Sequence, residues 1–288
     1  FMLDSLVLKK ITNYLELIRF NKPIGFLLLM WPCWFGLSLL ELELKNLIQW
    51  LIIFLFGSFF MRSAGCIIND IIDRDIDKSI KRTENRPIAS KKISIIESIL
   101  LLFIFLLLSF IILLQFNIYS IIFGLLSMPL VLLYPFMKRI TFWPQVFLGI
   151  TFSWGVLIVT TQFNQSITLE FILLYVACVI WTLGYDTIYA YQDIKDDIKQ
   201  NIKSTAVLFG NNGKWLVVGC YSIVLLIFGF LGWNASNSLL SLFVIALVGI
   251  CTFIAIQKWD INSSENSNFY FRQNNIFAIM LFIYLLTF

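Results

Sequence analysis

Asn69-Asp70-Ile71-Ile72-Asp73-Arg74-Asp75-Ile76-Asp77 places four carboxylates where a long apolar run reaches water. If the helix of that run continues through the stretch, Asn69, Asp73 and Asp77 share one face, because four steps of ~100° return nearly to the start. Asp70 lies close to the same stripe. Like charges stacked in this way repel unless a cation sits among them. The donors are all oxygens and the chain has no His, so a hard ion such as Mg2+ suits them better than zinc, copper or iron. The alternative is a solvated acidic loop between two membrane helices.

A second stretch weakens that alternative. Asp186-Thr187-Ile188-Tyr189-Ala190-Tyr191-Gln192-Asp193-Ile194-Lys195-Asp196-Asp197 again ends an apolar run, and Asp193 and Asp197 repeat the spacing of Asp73 and Asp77. Asp186 lies a turn or two back on the same helix. Two acidic helix ends on one membrane face suit a diphosphate. Bridging Mg2+ would neutralise carboxylates and phosphate oxygens together, with nearby Lys and Arg taking the remaining charge.

Hydrophobic residues make up 59% of the 288 and charged residues 13%, against about 25% charged in an average soluble domain. The sequence is that of an integral membrane protein, and nucleic acid is set aside as a partner. Without His, imidazole bases, haem ligation through His and Ser-His triads are excluded. Cys33, Cys66, Cys178, Cys220 and Cys251 lie singly in or beside apolar runs and read as small packed hydrophobes. No cleavable signal peptide is apparent.

Residues 4–20 set Leu8, Ile11, Leu15 and Ile18 at helical spacing, which predicts an amphipathic helix on the membrane surface within residues 1–22. Apolar runs of about 20 residues predict spans near 23–40, 47–68, 94–114, 117–135, 144–162, 168–190, 214–232, 238–257 and 270–288. The connections at 115–117, 163–167 and 234–238 read as plain turns. In this arrangement every Lys and Arg except Lys45 falls on one side, which the positive-inside rule makes cytoplasmic. Both acidic motifs are on that side.

The basic residues have two readings. Lys78, Lys81, Arg82 and Arg86 follow the first motif, as topology signals and lipid contacts or as a phosphate clamp. Arg62 lies two turns before Asn69 inside an apolar span, a costly place for a charge; it snorkels, pairs with a motif acid or serves the substrate. Lys138 and Arg139 read as anchors at a span end. Trp31, Trp34, Tyr134 and Trp143 are assigned mainly to the interfacial aromatic belt, with cation stabilisation as the second reading.

The motif pair Asn69-Asp70-x-x-Asp73-x-x-x-Asp77 and Asp186-Thr187-x-Tyr189-Ala190-x-x-Asp193-x-x-Asp196-Asp197 resembles the UbiA superfamily of intramembrane aromatic prenyltransferases. The 4-hydroxybenzoate branch is favoured by Arg19-Phe20-Asn21-Lys22-Pro23-Ile24-Gly25, Trp31-Pro32, Asn85-Arg86-Pro87-Ile88-Ala89-Ser90, Lys138-Arg139-x-Thr141-x-x-Pro144-Gln145 and Lys203-Ser204-Thr205-Ala206. Asn201 stands where the family commonly has Gly. The resemblance implies a single all-α, multi-pass membrane domain over 1–288, with nine transmembrane helices around a central cavity, a cytoplasmic cap and a lateral opening to lipid.

The implied reaction is Mg2+-dependent transfer of a polyprenyl group from polyprenyl diphosphate to the ring carbon ortho to the hydroxyl of 4-hydroxybenzoate, in ubiquinone biosynthesis at a bacterial inner membrane. Asn69, Asp73, Asp77, Asp193 and Asp197 would hold the metal, and Tyr134 with Lys138 would orient diphosphate and cation. Asp70, Arg82, Arg86, Asp186 and Lys203 would line the substrates, with Arg139, Arg62 or Arg19 taking the benzoate carboxylate. Other UbiA-type acceptors (haem, homogentisate, lipid) and an ion-coupled transporter are the alternatives; acids clustered at one face, not at mid-membrane, weigh against the transporter.

Overall fold

The structure, a computed structural model, describes residues 2–80, 82–163 and 166–287, with side chains from residue 8 onward. Lys81 of the basic loop and Asn164 and Gln165 of an expected turn lie outside the described residues, as do Phe1 and Phe288. The described chain is all helical: α1 Met2–Leu17, α2 Ile24–Ser38, α3 Leu44–Ile72, α4 Arg74–Asp77, α5 Ile95–Leu113, α6 Ile118–Leu126, α7 Met128–Ile140, α8 Pro144–Phe163, α9 Leu169–Ala190, α10 Ile194–Lys199, α11 Thr205–Phe209, α12 Gly213–Ser236, α13 Leu239–Lys258 and α14 Ser264–Leu285.

A helix stands at each of the nine expected runs. Among the described residues seven are long and apolar enough to cross a membrane: α3, α5, α6 with α7, α8, α9, α11 with α12, and α13. α2 has only 15 residues. α14 has 22 residues but begins six positions before the expected run, because Ser263 caps a polar first half containing Asn266 and Arg272. The break between α6 and α7 follows from Pro129, which has no N–H to continue the ladder.

The chain forms two compact units: Phe1–Met30 with Ile52–Phe116, and Trp31–Leu51 with Asn117–Phe288. In the first, Leu17 at the end of α1 and Ile18 just after it pack with Ala64 and Ile67 of α3, Ile88 and Ile93 of the loop before α5, and Phe105 of α5. Glu97 fastens α1 to α5. It closes a capping box with Ser94, lies 2.5 Å from Lys10 Nζ and accepts from the Tyr14 hydroxyl at 3.3 Å. Leu8, Ile11 and Leu15 are left exposed along α1, the apolar stripe that a surface helix presents to lipid.

The second unit is built on aromatic packing around one buried amide. Trp31 is 4% exposed, stacks on Phe35, meets Trp34 edge-on and donates to Asn275 Oδ1 at 2.9 Å. It is therefore a core residue and not part of an interfacial belt. Asn274 Oδ1 accepts from Trp181 Nε1 at 3.0 Å and from the Tyr221 hydroxyl, while its amide donates to the Tyr270 and Phe271 carbonyls. α8 and α9 meet closely at Gly149, where a Cβ would lie 2.7 Å from the Val179 carbonyl oxygen. The connection at 115–117 is stitched down: the Asn117 side chain accepts from Ser120 N–H and donates to the Thr161 and Gln162 carbonyls.

Asn274→Ala leaves Trp181 N–H and Tyr221 O–H buried without their acceptor, at about 1–3 kcal/mol for each group. Thermal unfolding in detergent should show a clearly lowered midpoint, whereas Asn266→Ala at the start of the same helix should change it far less.

Candidate active site

α3 does not run unbroken through the first acidic stretch. It ends at Ile72, and Asp73 sits between helices with φ −93° and ψ 2°, capping α4. The i to i−4 ladder nonetheless crosses the break: Asp73 N–H donates to Asn69 O at 2.9 Å and Asp77 N–H to Asp73 O at 2.8 Å. The expected common face survives. Asp70, Asp73 and Asp77 are 2%, 1% and 4% exposed. Asp75 points to the surface, where Lys78 at 2.8 Å holds its carboxyl below the usual carboxylate range.

Two arginines serve the buried acids. Arg19 Nη2 donates to both oxygens of Asp70, at 2.8 and 2.9 Å. Arg86 Nη1 bridges Asp70 Oδ1 at 3.1 Å and Asp77 Oδ2 at 2.8 Å. Burial nevertheless pushes the Asp77 carboxyl up; Arg86 opposes this, and the Asp70 and Asp73 charges add to it. Arg19 has φ +59°. It ends α1 in a Schellman motif, with Phe20 N–H on Leu15 O and Arg19 N–H on Glu16 O, at the position where Gly is usual. An arginine kept in this backbone state is there for its side chain.

The second stretch repeats the backbone device. α9 ends at Ala190, and Asp193, with φ −116° and ψ 8°, caps α10. Asp197 N–H then donates to Asp193 O at 2.9 Å. α10 closes in another Schellman motif: Ile202 N–H bonds Asp197 O, Asn201 N–H bonds Ile198 O, and Asn201 takes φ +54°. That explains the expected Gly, and Asn is the side chain that tolerates this region best. Asp186, Tyr189, Asp193 and Asp197 are half-buried, and the Tyr189 ring packs 4.7 Å from that of Phe271.

Lys203 joins this loop to α7. Its N–H donates to the Lys138 carbonyl at 2.8 Å, and its ammonium donates to Ile140 O at 3.0 Å, a favourable place for a cation at a helix C-terminus. Tyr134 and Lys138 are one turn apart on α7 and half-buried, while Arg139 and Arg82 are exposed. Arg62 is half-buried against Gly25, where a Cβ would stand 2.8 Å from Arg62 Nε. Supports that periodicity does not reveal are Gln145 Oε1, accepting Thr205 N–H at 3.1 Å, and the Thr187 and Thr205 hydroxyls 2.7 Å apart.

Among the described residues no three His, Cys, Asp or Glu side chains converge as a finished metal-ligand set. Each motif offers instead an i, i+4 carboxylate pair, and the donors are oxygens throughout. That chemistry fits a hard divalent cation completed by phosphate oxygens.

The UbiA prenyltransferase family model matches residues 29–285. The chain is 38% identical to a 4-hydroxybenzoate octaprenyltransferase of Blochmanniella pennsylvanica, across 96% of this chain and 95% of that one. It is 41% identical to a mitochondrial 4-hydroxybenzoate polyprenyltransferase of Rattus norvegicus, across 94% and 73%. In fold it is similar to a UbiA homolog from Archaeoglobus fulgidus solved with GPP and Mg2+, with a TM-score of 0.69, 18% identity, and 96% and 100% of the two chains covered.

The two Schellman positions should respond oppositely to glycine. Asn201→Gly should be nearly neutral. Arg19→Gly relaxes the backbone but removes one of the two cations on a buried carboxylate, a net loss of roughly 2 kcal/mol. Thermal melts of both variants check the contrast, and an equally neutral Arg19→Gly would show that the fork on Asp70 carries no stability.

Proposed function

Because the chain belongs to the UbiA prenyltransferase family, we propose that it transfers a polyprenyl group from polyprenyl diphosphate to the carbon ortho to the hydroxyl of 4-hydroxybenzoate. The products are 3-polyprenyl-4-hydroxybenzoate and diphosphate, and the reaction belongs to ubiquinone biosynthesis. The observation that carries the reading is the repeated helix break, in which Asp73 and Asp193 each head a short helix whose fourth residue is again Asp. Relatives at 38% and 41% identity named for this acceptor support it.

In this reading Asn69, Asp73, Asp77, Asp193 and Asp197 hold Mg2+. When bound, the ion neutralises charge developing on the departing diphosphate. Lys138 and Tyr134, one turn apart, hold a phosphate oxygen and face the allylic cation with a phenol ring. Arg82 and Lys203 add positive charge near their motifs, and Asp186 lies a turn or two before Asp193. The apolar helices keep water from the cation and dissolve the isoprenoid tail. Arg139 and Arg62 are the candidates for the benzoate carboxylate, since Arg19 is already committed to Asp70.

For the membrane arrangement we propose that α2 and α14 also cross, giving nine spans. The basic loops support a reading in which the acidic motifs face the cytoplasm, and the membrane proposed is a bacterial inner membrane.

Membranes containing the protein should form prenylated product from 4-hydroxybenzoate, a polyprenyl diphosphate and Mg2+, and lose it with EDTA. Asp73→Asn and Asp193→Asn should each lower turnover by at least about 100-fold while the protein level in the membrane fraction stays unchanged. Near-normal rates in either variant would remove the metal-bridge reading.

A further inference from the structure

We propose that Arg86 is a built-in counter-ion that stands on Asp77 until a divalent cation and diphosphate arrive, and that Asp70 is the positioning residue that keeps it at hand. The inference rests on the reading of Asp77 as a metal ligand. A single nitrogen, Arg86 Nη1, lies 2.8 Å from Asp77 Oδ2 and 3.1 Å from Asp70 Oδ1. Leaving Asp77 therefore requires a short swing toward a carboxylate it already touches.

The two acids differ in what else holds them. Asp70 is 2% exposed and both its oxygens accept from Arg19 Nη2, so its charge is compensated whether or not Arg86 stays on Asp77. Its oxygens are committed to guanidinium, which makes it an anchor and not a metal ligand. Among the described residues the Asp77 carboxylate takes its hydrogen bond from the bridging nitrogen of Arg86. Its main chain is fixed as well: the buried Thr83 hydroxyl donates to Asp77 O at 3.0 Å. Asp77 is held in place as a residue while its carboxylate has an exchangeable partner.

Charge balance sets the order of events. Asp70, Asp73 and Asp77 against Arg19 and Arg86 sum to a single negative charge, with every side chain less than a fifth exposed. A divalent ion entering alone must displace a guanidinium and leaves excess positive charge in a buried place, which is costly. Diphosphate removes that excess, and the displaced Arg86, still beside Asp70, presents its fork to the incoming phosphate oxygens. Metal and diphosphate thus bind cooperatively, and neither is held well without the other.

The test titrates the purified full chain in detergent with Mn2+ and reads bound ion by electron paramagnetic resonance, with and without inorganic diphosphate. Arg86→Met should bind Mn2+ without diphosphate about 10-fold more tightly than wild type and lose most of the gain that diphosphate brings. Asp70→Asn should shift the affinity the other way, because Arg86 then rests wholly on Asp77. A purely structural role would weaken binding in both variants. If Arg86→Met does not fold, Arg86→Gln, which keeps a hydrogen-bond donor for the buried acids but carries no charge, should still bind Mn2+ more tightly than wild type. Unchanged or weaker Mn2+ binding in the folded Arg86 variant overturns the proposal. Asp77→Asn separates the two levels: if it leaves Mn2+ affinity intact, the ligand reading itself fails; if it weakens Mn2+ while Arg86 variants do not strengthen it, only the counter-ion is lost.

Discussion

A carboxylate taken out of water needs a cation, and around Asp70 and Asp77 much of the first unit is arranged to supply one. Arg19 reaches Asp70 from the end of the surface helix, in a backbone state that an arginine adopts only at a cost. Arg86 comes from the opposite direction in sequence, out of a loop whose Ile88 and Ala89 are buried and whose Ser90 hydroxyl ties back to the Arg86 carbonyl. Removing one partner of such a pair strands a buried charge, a far larger penalty than an exposed ion pair could incur. The helix end, the acidic break and the basic loop are therefore one electrostatic unit.

The second acidic stretch shares the backbone device. Asp193 is half-buried, and the loop that follows it is held in part by neutral groups, the Thr187 and Thr205 hydroxyls and the Gln145 amide, while the Lys203 ammonium meets a helix-end carbonyl. Neutral hydrogen bonds hold a loop in register without setting its charge.

Helix positions were legible because the physics is one-dimensional: an apolar run must be helical where no water can satisfy its backbone, so every expected run holds a helix. What was not legible depends on tertiary partners. The polar first half of α14 gives no apolar signal, yet it folds because Ser267 accepts from Trp259 Nε1 and Asn274 meets Trp181. Trp31 has the composition of a belt residue and becomes core because Asn275, far along the chain, accepts its N–H. In the site, the shared face of Asn69, Asp73 and Asp77 follows from spacing. That Arg19 and Arg86 converge on Asp70 does not, since the contacts join residues 51 and 16 positions apart. The departure at Asn201 from a usual Gly was visible in the sequence, but its reason, a positive φ, came only with the backbone.

Four carboxylates within eight residues have different fates, and helical phase accounts for the division. With Asp70 as origin, steps of ~100° put Asp77 about 20° away, Asp73 about 60° away, and Asp75 about 140° round the helix. The first two join Asp70 on the buried face; Asp75 alone is exposed and pairs with the neighbouring Lys78 and Arg74. Phase cannot then divide Asp70 from Asp77, which lie almost in line. Height along the axis does that: Asp70 is still inside α3, level with the end of α1 and the reach of Arg19, whereas Asp77 is two turns further on, beyond the break and within the basic loop. The same face thus holds one acid deep enough to be fixed by two guanidiniums and another far enough out to exchange its partner. Moving the motif by a single residue would carry both off that face, so the spacing from Asp70 to Asp77 is as much a constraint on chemistry as the acids themselves.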